Sequence, residues 1–199
     1  MLCTTLLVKK RFCIDEKQFK EIGDENYKEH IENDDIVKSK LGNFSDKKVL
    51  NIGCGVGRLE ECMPPHFGNV YGIDISEVMV EKAKERLSQL HNVVVQATDG
   101  VSFPFNDEFF DFIFSYIVFQ HMPSKEVVKK NFEEIFRSLK KGGVAKIQIR
   151  GGHQPFKWQW FYGPVFKEQE AIDMVKSVGF NVLKTQDPDK KRFWLWLEK

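Results

Sequence analysis

The sequence is short of cysteine, of net charge and of long apolar runs. Its four cysteines, Cys3, Cys13, Cys54 and Cys62, include no C-x-x-C pair and no Cys/His spacing that would hold zinc. That excludes a zinc-finger or disulfide framework, predicts no metal site, and predicts reduced thiols in a cytoplasmic protein. Thirty basic residues meet 29 acidic ones, a formal net charge of +1. No overall charge draws the chain to nucleic acid or to an anionic membrane. The longest apolar stretch, 109–119, is broken by Asp111 and falls well short of the roughly 20 residues a spanning helix needs. The opening "MLCTTLLVKKR" carries its charges after its apolar run, the reverse of a secretory signal. No internal repeat and no Ser-His-Asp pattern occurs.

What is present is an alternation of strand-like and helix-like segments. Strands are expected at 47–52, 69–75, 93–97, 110–116 and 144–150, then at 180–185 and 193–198. Ser76 can cap a helix over 76–90. A second helix is expected over 125–140, ended by Gly142-Gly143, and a third over 167–178, closed by Gly179. A further helix over 25–41 precedes the first strand. This pattern predicts a mostly parallel sheet covered on both faces. The last two strands are too close for a helical crossover and should pair antiparallel. Trp194 and Trp196 stand in a strand apolar on both sides, which assigns them to core. At 199 residues the chain is expected to form a single domain over 1–199.

One stretch stands out. In "VLNIGCGVGR", Gly53, Gly55 and Gly57 fall within five residues at the end of the first strand. They either make a tight strand-to-helix turn or bring bare backbone against a ligand at the strand's carboxyl end. The spacing is G-x-G-x-G, neither the dinucleotide G-x-G-x-x-G nor a phosphate loop. Asp74 ends the second strand, 21 residues past Gly53. An ionised carboxylate there can accept from vicinal ribose hydroxyls. Asp99, after the third strand, could accept from an adenine amino group.

Together these residues resemble the class I S-adenosylmethionine-dependent methyltransferases, within the small-molecule group of the ubiquinone/menaquinone-biosynthesis type. "VLNIGCGVGR", "YGIDIS" and "TDGVSFPFNDEFFDFIFS" carry the likeness, with "FQHMP" and "RSLKKGG". The resemblance implies an α/β, Rossmann-like three-layer sandwich with a seven-stranded sheet and an antiparallel C-terminal strand. It implies S-adenosylmethionine as cofactor and S-adenosylhomocysteine as product. It implies a cofactor site drawn from Asn51, Gly53, Cys54, Gly55, Arg58, Asp74, Ile75, Met79, Thr98, Asp99, Gly100, Ser115 and Tyr116. Where the family usually carries Asp or Glu, this chain has Asn51, which brings no charge.

Methyl transfer from a sulfonium is a direct displacement at the methyl carbon, so alignment matters more than a protein nucleophile. A base helps only where the acceptor must lose a proton. His121 is the first candidate base, or else a histidine packing its turn. Tyr162 is a second. Residues 151–164 form an aromatic insert in which His153, Trp158, Trp160 and Tyr162 either wall an acceptor pocket or add to the core. Residues 1–45 read as a helical lid region, to which Tyr27 and His30 could contribute. The expected partner is a small-molecule acceptor, with no membrane and no nucleic acid, in a monomer or homodimer. Three other readings stay open here: a non-catalytic S-adenosylmethionine-binding module, a protein or RNA methyltransferase, and a nicotinamide dehydrogenase.

Overall fold

Strands that are apolar on both sides must be covered on both sides. In the computed structural model, which describes residues 15–152 and 163–199, seven strands form one sheet in the order β3-β2-β1-β4-β5-β7-β6. They are β1 Lys48–Ile52, β2 Asn69–Asp74, β3 Val93–Ala97, β4 Phe110–Ser115, β5 Leu139–Ile149, β6 Asn181–Gln186 and β7 Phe193–Glu198. β1 to β5 run parallel. β7 lies antiparallel between β5 and β6, as the short "QDPDKK" turn requires.

Alternate residues of each strand feed two cores. On one face, Leu50, Ile113, Ile147 and Leu195 pack against α4 (Lys125–Ser138) and α5 (Glu168–Val178) through Phe132, Ile135 and Val175. On the other, Val49, Phe112, Phe114, Trp194 and Trp196 meet Tyr27 of α1 (Glu16–Tyr27) and Val37 and Leu41 of α2 (Asp35–Leu41). Val80 and Ala83 of α3 (Glu77–Arg86) extend that cover over Val95. Each fully buried large apolar side chain contributes about 1.5–3 kcal/mol by leaving water. The two tryptophans are core, as expected. Among the described residues, no helix is long and apolar enough to cross a membrane.

Helix ends differ from the sequence reading: the one expected over 76–90 stops at Arg86, and two others differ more. The helix expected over 25–41 is two α-helices joined by a π-helical turn, Lys28–Glu32. Asp34 breaks it: its Oδ1 caps α2 by accepting from Val37 N–H (2.9 Å), a bond worth about 1 kcal/mol. Its Oδ2 accepts from Lys146 Nζ (2.7 Å) and Trp196 Nε1 (2.8 Å), so this residue within the expected helix belongs to the core. The second correction concerns α4, which stops at Ser138 rather than at Gly142-Gly143. Leu139 is fully buried and pairs with Phe110. The register then jumps, with Phe112 opposite Val144. Gly142, at φ +75°, lies inside β5, where its N–H donates to the Lys199 carbonyl (2.9 Å).

The topology fixes where a ligand can sit. β1 is flanked by β2 on one side and β4 on the other. The connections leaving their carboxyl ends diverge, which opens a crevice there.

Candidate functional site

The crevice is a cavity of about 480 Å³ at the carboxyl ends of β1, β2 and β4. Its apolar walls are Ile52, Ile73, Phe103 and Val127, and its polar edge carries Asp74, Thr98, Asp99 and His121.

The glycine turn forms one rim. Gly53, at φ +80°, is wedged against the exit of β4, and a Cβ there would lie 2.1 Å from Val118 Cγ2. Gly55, at φ +55°, has nothing within 4 Å of its missing Cβ. One glycine lets two strand exits close up, and the other keeps bare backbone open to a visitor. The Gly55 N–H donates to Asp74 Oδ2 (2.9 Å), and Ser76 N–H donates to Asp74 Oδ1 (2.9 Å). Asp74 therefore ties the glycine turn to the start of α3, and each oxygen keeps a lone pair for a further donor.

Asp99 stands across the cavity. Its Oδ1 accepts from Ser102 N–H (2.6 Å) and Val101 N–H (2.8 Å), and its Oδ2 from Ser102 Oγ (3.0 Å). The Ser102 and Val101 amides hold its carboxyl below the usual range, so it is ionised at neutral pH. Asn131 of α4, almost fully buried, donates to the Gly100 carbonyl (2.9 Å) and so fastens the Asp99–Gly100 turn.

The third rim is strained. Ile117 has φ +63°, a conformation a β-branched residue adopts only under constraint. Its N–H donates to Oε1 of buried Gln148 (3.1 Å). His121, in the 3₁₀ turn Phe119–His121, lies within 3.0 Å of Gln120 Nε2 through its own Nε2.

Of the residues singled out from sequence, Gly53, Asp74, Ile75, Thr98, Asp99, Gly100 and His121 line the cavity. Gly55 reaches it through Asp74. The others sit elsewhere. Asn51 is buried and donates its Nδ2 to Glu60 Oε1 (2.7 Å). Ser115 is fully buried and donates to the Ile52 carbonyl (3.0 Å), joining β4 to β1. Cys54 is buried against α3. Met79 faces out from α3, and its N–H is taken by the Ser76 cap. Arg58 lies on the turn after β1, apart from the cavity wall, with its side chain close to Gly23. Tyr116 stacks on Trp194 (5.6 Å) and meets the tilted ring of His30 (4.6 Å) on the α1 face. Tyr27 and His30 are buried under that face rather than lying over the cavity. His153, Trp158, Trp160 and Tyr162 lie outside the described residues.

Sequence reasoning missed Ile117, Val118 and Asn131. Asn131 left a usable signal, a polar residue on the apolar stripe of an amphipathic helix. Ile117 left none, because its backbone conformation follows from packing across strands.

An apolar slot edged by two carboxylates and bare backbone fits a nucleoside with a cationic tail. The chain's similarities agree. Residues 50–147 match the family model described as a methyltransferase domain. The chain is 32% identical over 167 residues to phosphoethanolamine N-methyltransferase 2 of Caenorhabditis elegans, covering 78% of this chain and 37% of that protein. It is 33% identical over 140 residues to demethylmenaquinone methyltransferase of Staphylococcus aureus (strain Newman), covering 68% of this chain and 53% of that one. A solved structure of Haemonchus contortus phosphoethanolamine N-methyltransferase 2, in complex with S-adenosyl-L-methionine, superposes with a TM-score of 0.63 at 25% identity. That superposition covers 76% of this chain and 37% of that chain. The chain thus spans about half or less of the length of these curated relatives.

Proposed function

We propose, from the premise that the chain belongs to the S-adenosylmethionine-dependent methyltransferases, that it methylates a small-molecule acceptor. When bound, S-adenosylmethionine supplies a methyl carbon already activated by a sulfonium, so the protein's work is to hold and align. In this reading the lone pairs left on Asp74 take the ribose hydroxyls. Asp99 and Gly100 meet the adenine, with Thr98 and Ile75 beside it. The backbone of Gly53, Cys54 and Gly55 follows the methionyl part toward the exit of β4 at Ile117 and Val118. In the same reading His121 accepts a proton where the acceptor must lose one. The acceptor side is assigned to His153, Trp158, Trp160 and Tyr162. No cysteine nucleophile is invoked. Burial pushes both buried thiols up, Cys62 to about 12, so they stay protonated.

The observation that carries this reading is the pairing of Asp74 and Asp99 across one apolar cavity at the strand-order reversal. Calorimetry with S-adenosylmethionine tests it. Saturable binding that disappears in a folded Gly55→Val variant is expected, because a side chain there would fill the open approach to the backbone. A folded wild-type chain that takes up no S-adenosylmethionine overturns the reading. The relatives' names point to acceptors as different as a phospho-amine and a quinone nucleus, so the acceptor panel must span both. Binding without turnover across that panel would favour a cofactor-sensing module.

A further inference from the structure

Glu60 is the only carboxylic acid of the described residues that is buried as a whole residue, at 0% exposed. Its Oε1 accepts from Asn51 Nδ2 (2.7 Å), and its Oε2 has no hydrogen-bond partner. The space it fills is made by Gly72, which stands opposite Asn51 in the sheet. A Cβ on Gly72 would lie 2.9 Å from Glu60 Oε1 and 2.8 Å from Cys54 Cβ. The carboxyl and the Cys54 side chain thus share the space above Gly72, and Glu60 does not line the cavity. No salt bridge to Glu60 occurs among the described residues. An acid so placed costs stability, and a buried polar atom without a partner asks for a reason.

The charge of the ligand supplies one. The cofactor carries a sulfonium, while its demethylated product carries a neutral thioether. We propose that Glu60 is a positioning residue that braces the glycine turn through Asn51 and whose negative charge favours the sulfonium cofactor over the neutral product. The inference rests on the reading that the cofactor's methionyl part lies along Gly53–Gly55. Discrimination of this kind helps product leave and fresh cofactor enter at the same site.

The charge on Glu60 is adjustable. Burial pushes its carboxyl up to about 7, opposed by the Asn51 hydrogen bond; Asp74 of β2 raises it further and Arg58 lowers it. The buried Cys54 thiol faces it from the turn. Below that value the acid is neutral and the preference fades. Above it the acid is ionised and the preference is full.

The test measures affinities for S-adenosylmethionine and S-adenosylhomocysteine by calorimetry between about pH 6 and about pH 8, a range centred near where a carboxyl so displaced titrates. In the wild type the ratio favouring S-adenosylmethionine should rise about 5-fold, the low end of ordinary coupling between sites. In E60Q, which keeps the shape and the contact to Asn51, that rise should vanish. The cofactor's own amino group titrates in both proteins, so only the difference between profiles counts. The exchange N51D/E60Q returns a carboxyl to the same bonded pair and should restore the rise. A purely structural Glu60 would shift both affinities together and leave the ratio unchanged. Identical profiles in wild type and E60Q overturn the proposal. If E60Q fails to fold, a flat wild-type ratio, or a flat ratio in the double exchange, overturns it as well. Absence of any S-adenosylmethionine binding overturns the site reading beneath it instead.

Discussion

Asp34 and Glu60 lie against the same face of the sheet, at two ends of one row of side chains. Gly72, Asn51, Phe114, Lys146 and Trp196 stand side by side across β2, β1, β4, β5 and β7. Asp34 closes on the Lys146–Trp196 end, and Glu60 on the Asn51–Gly72 end. At the first end every charge is answered. Lys146 Nζ meets Asp34 Oδ2 and the His30 carbonyl, each at 2.7 Å, and sits about 4.9 Å above Trp194 and 4.8 Å above Trp196. At the second end the acid has one amide and no cation. A completed buried network specifies how layers dock, whereas an incomplete one leaves free energy for a ligand to recover.

Removing Asp34 should break that contrast most forcefully. Asp34→Ala strands the Lys146 ammonium, whose side chain is only 5% exposed, and frees the start of α2. The expected loss is about 3–5 kcal/mol in denaturant unfolding, with cofactor affinity of the folded fraction unchanged. The pH dependence has a fixed sign. Burial alone would raise the Asp34 carboxyl, but bonds from Lys146, the Val37 N–H and Trp196 outweigh it and hold the carboxyl below its usual value. Its contribution is therefore complete above the unfolded-state value and lost as pH falls through the folded one. A variant as stable as wild type would show that this end of the row is not the clamp described.

Glu60 should behave in the opposite sense. Its folded-state value, about 7, lies above that of the unfolded chain. The folded protein then holds a proton that the unfolded chain releases, so stability declines as pH rises from about 4.3 toward 7. Across that window the decline is on the order of 3 kcal/mol, and E60Q should remove it. Unfolding curves for both proteins at several pH values read the slope directly. Equal slopes would mean that Glu60 reaches solvent in the folded state.

How far these features could be read from sequence depends on what each one rests on. The mostly parallel sheet and its antiparallel end were legible because strand alternation and short connections are local signals; the strand order was not read. Gly53, Asp74 and Asp99 were legible because chemistry at strand ends follows chain order. Asp34 was not: "NDD" looks like a solvated helix turn, and only Lys146 and Trp196, 112 and 162 residues away, make it core. Ser115 looked like a ligand contact, yet its hydroxyl is spent on β1. Glu60 carried no signal at all, since its burial depends on the glycine at position 72 of a neighbouring strand. Long-range pairing decides these cases, and no local pattern encodes it.

Asp74 offers the smallest expected effect and sharpens the comparison from the ligand's side. It is an acid near Glu60 whose oxygens are both engaged, by Gly55 and Ser76 N–H groups, yet it lines the cavity. Asp74→Ala should weaken S-adenosylmethionine binding by about 1–3 kcal/mol through lost charge-assisted hydrogen bonds. Both ligands carry the same ribose, so the loss should be nearly equal for S-adenosylmethionine and S-adenosylhomocysteine. That equality separates the two acids: Asp74 acts by contact with a part common to cofactor and product, Glu60 by charge on the part that differs. Calorimetry on the folded variant checks both halves. A loss confined to S-adenosylmethionine would move Asp74 from the sugar to the sulfonium, and undiminished affinity for both would remove it from the site.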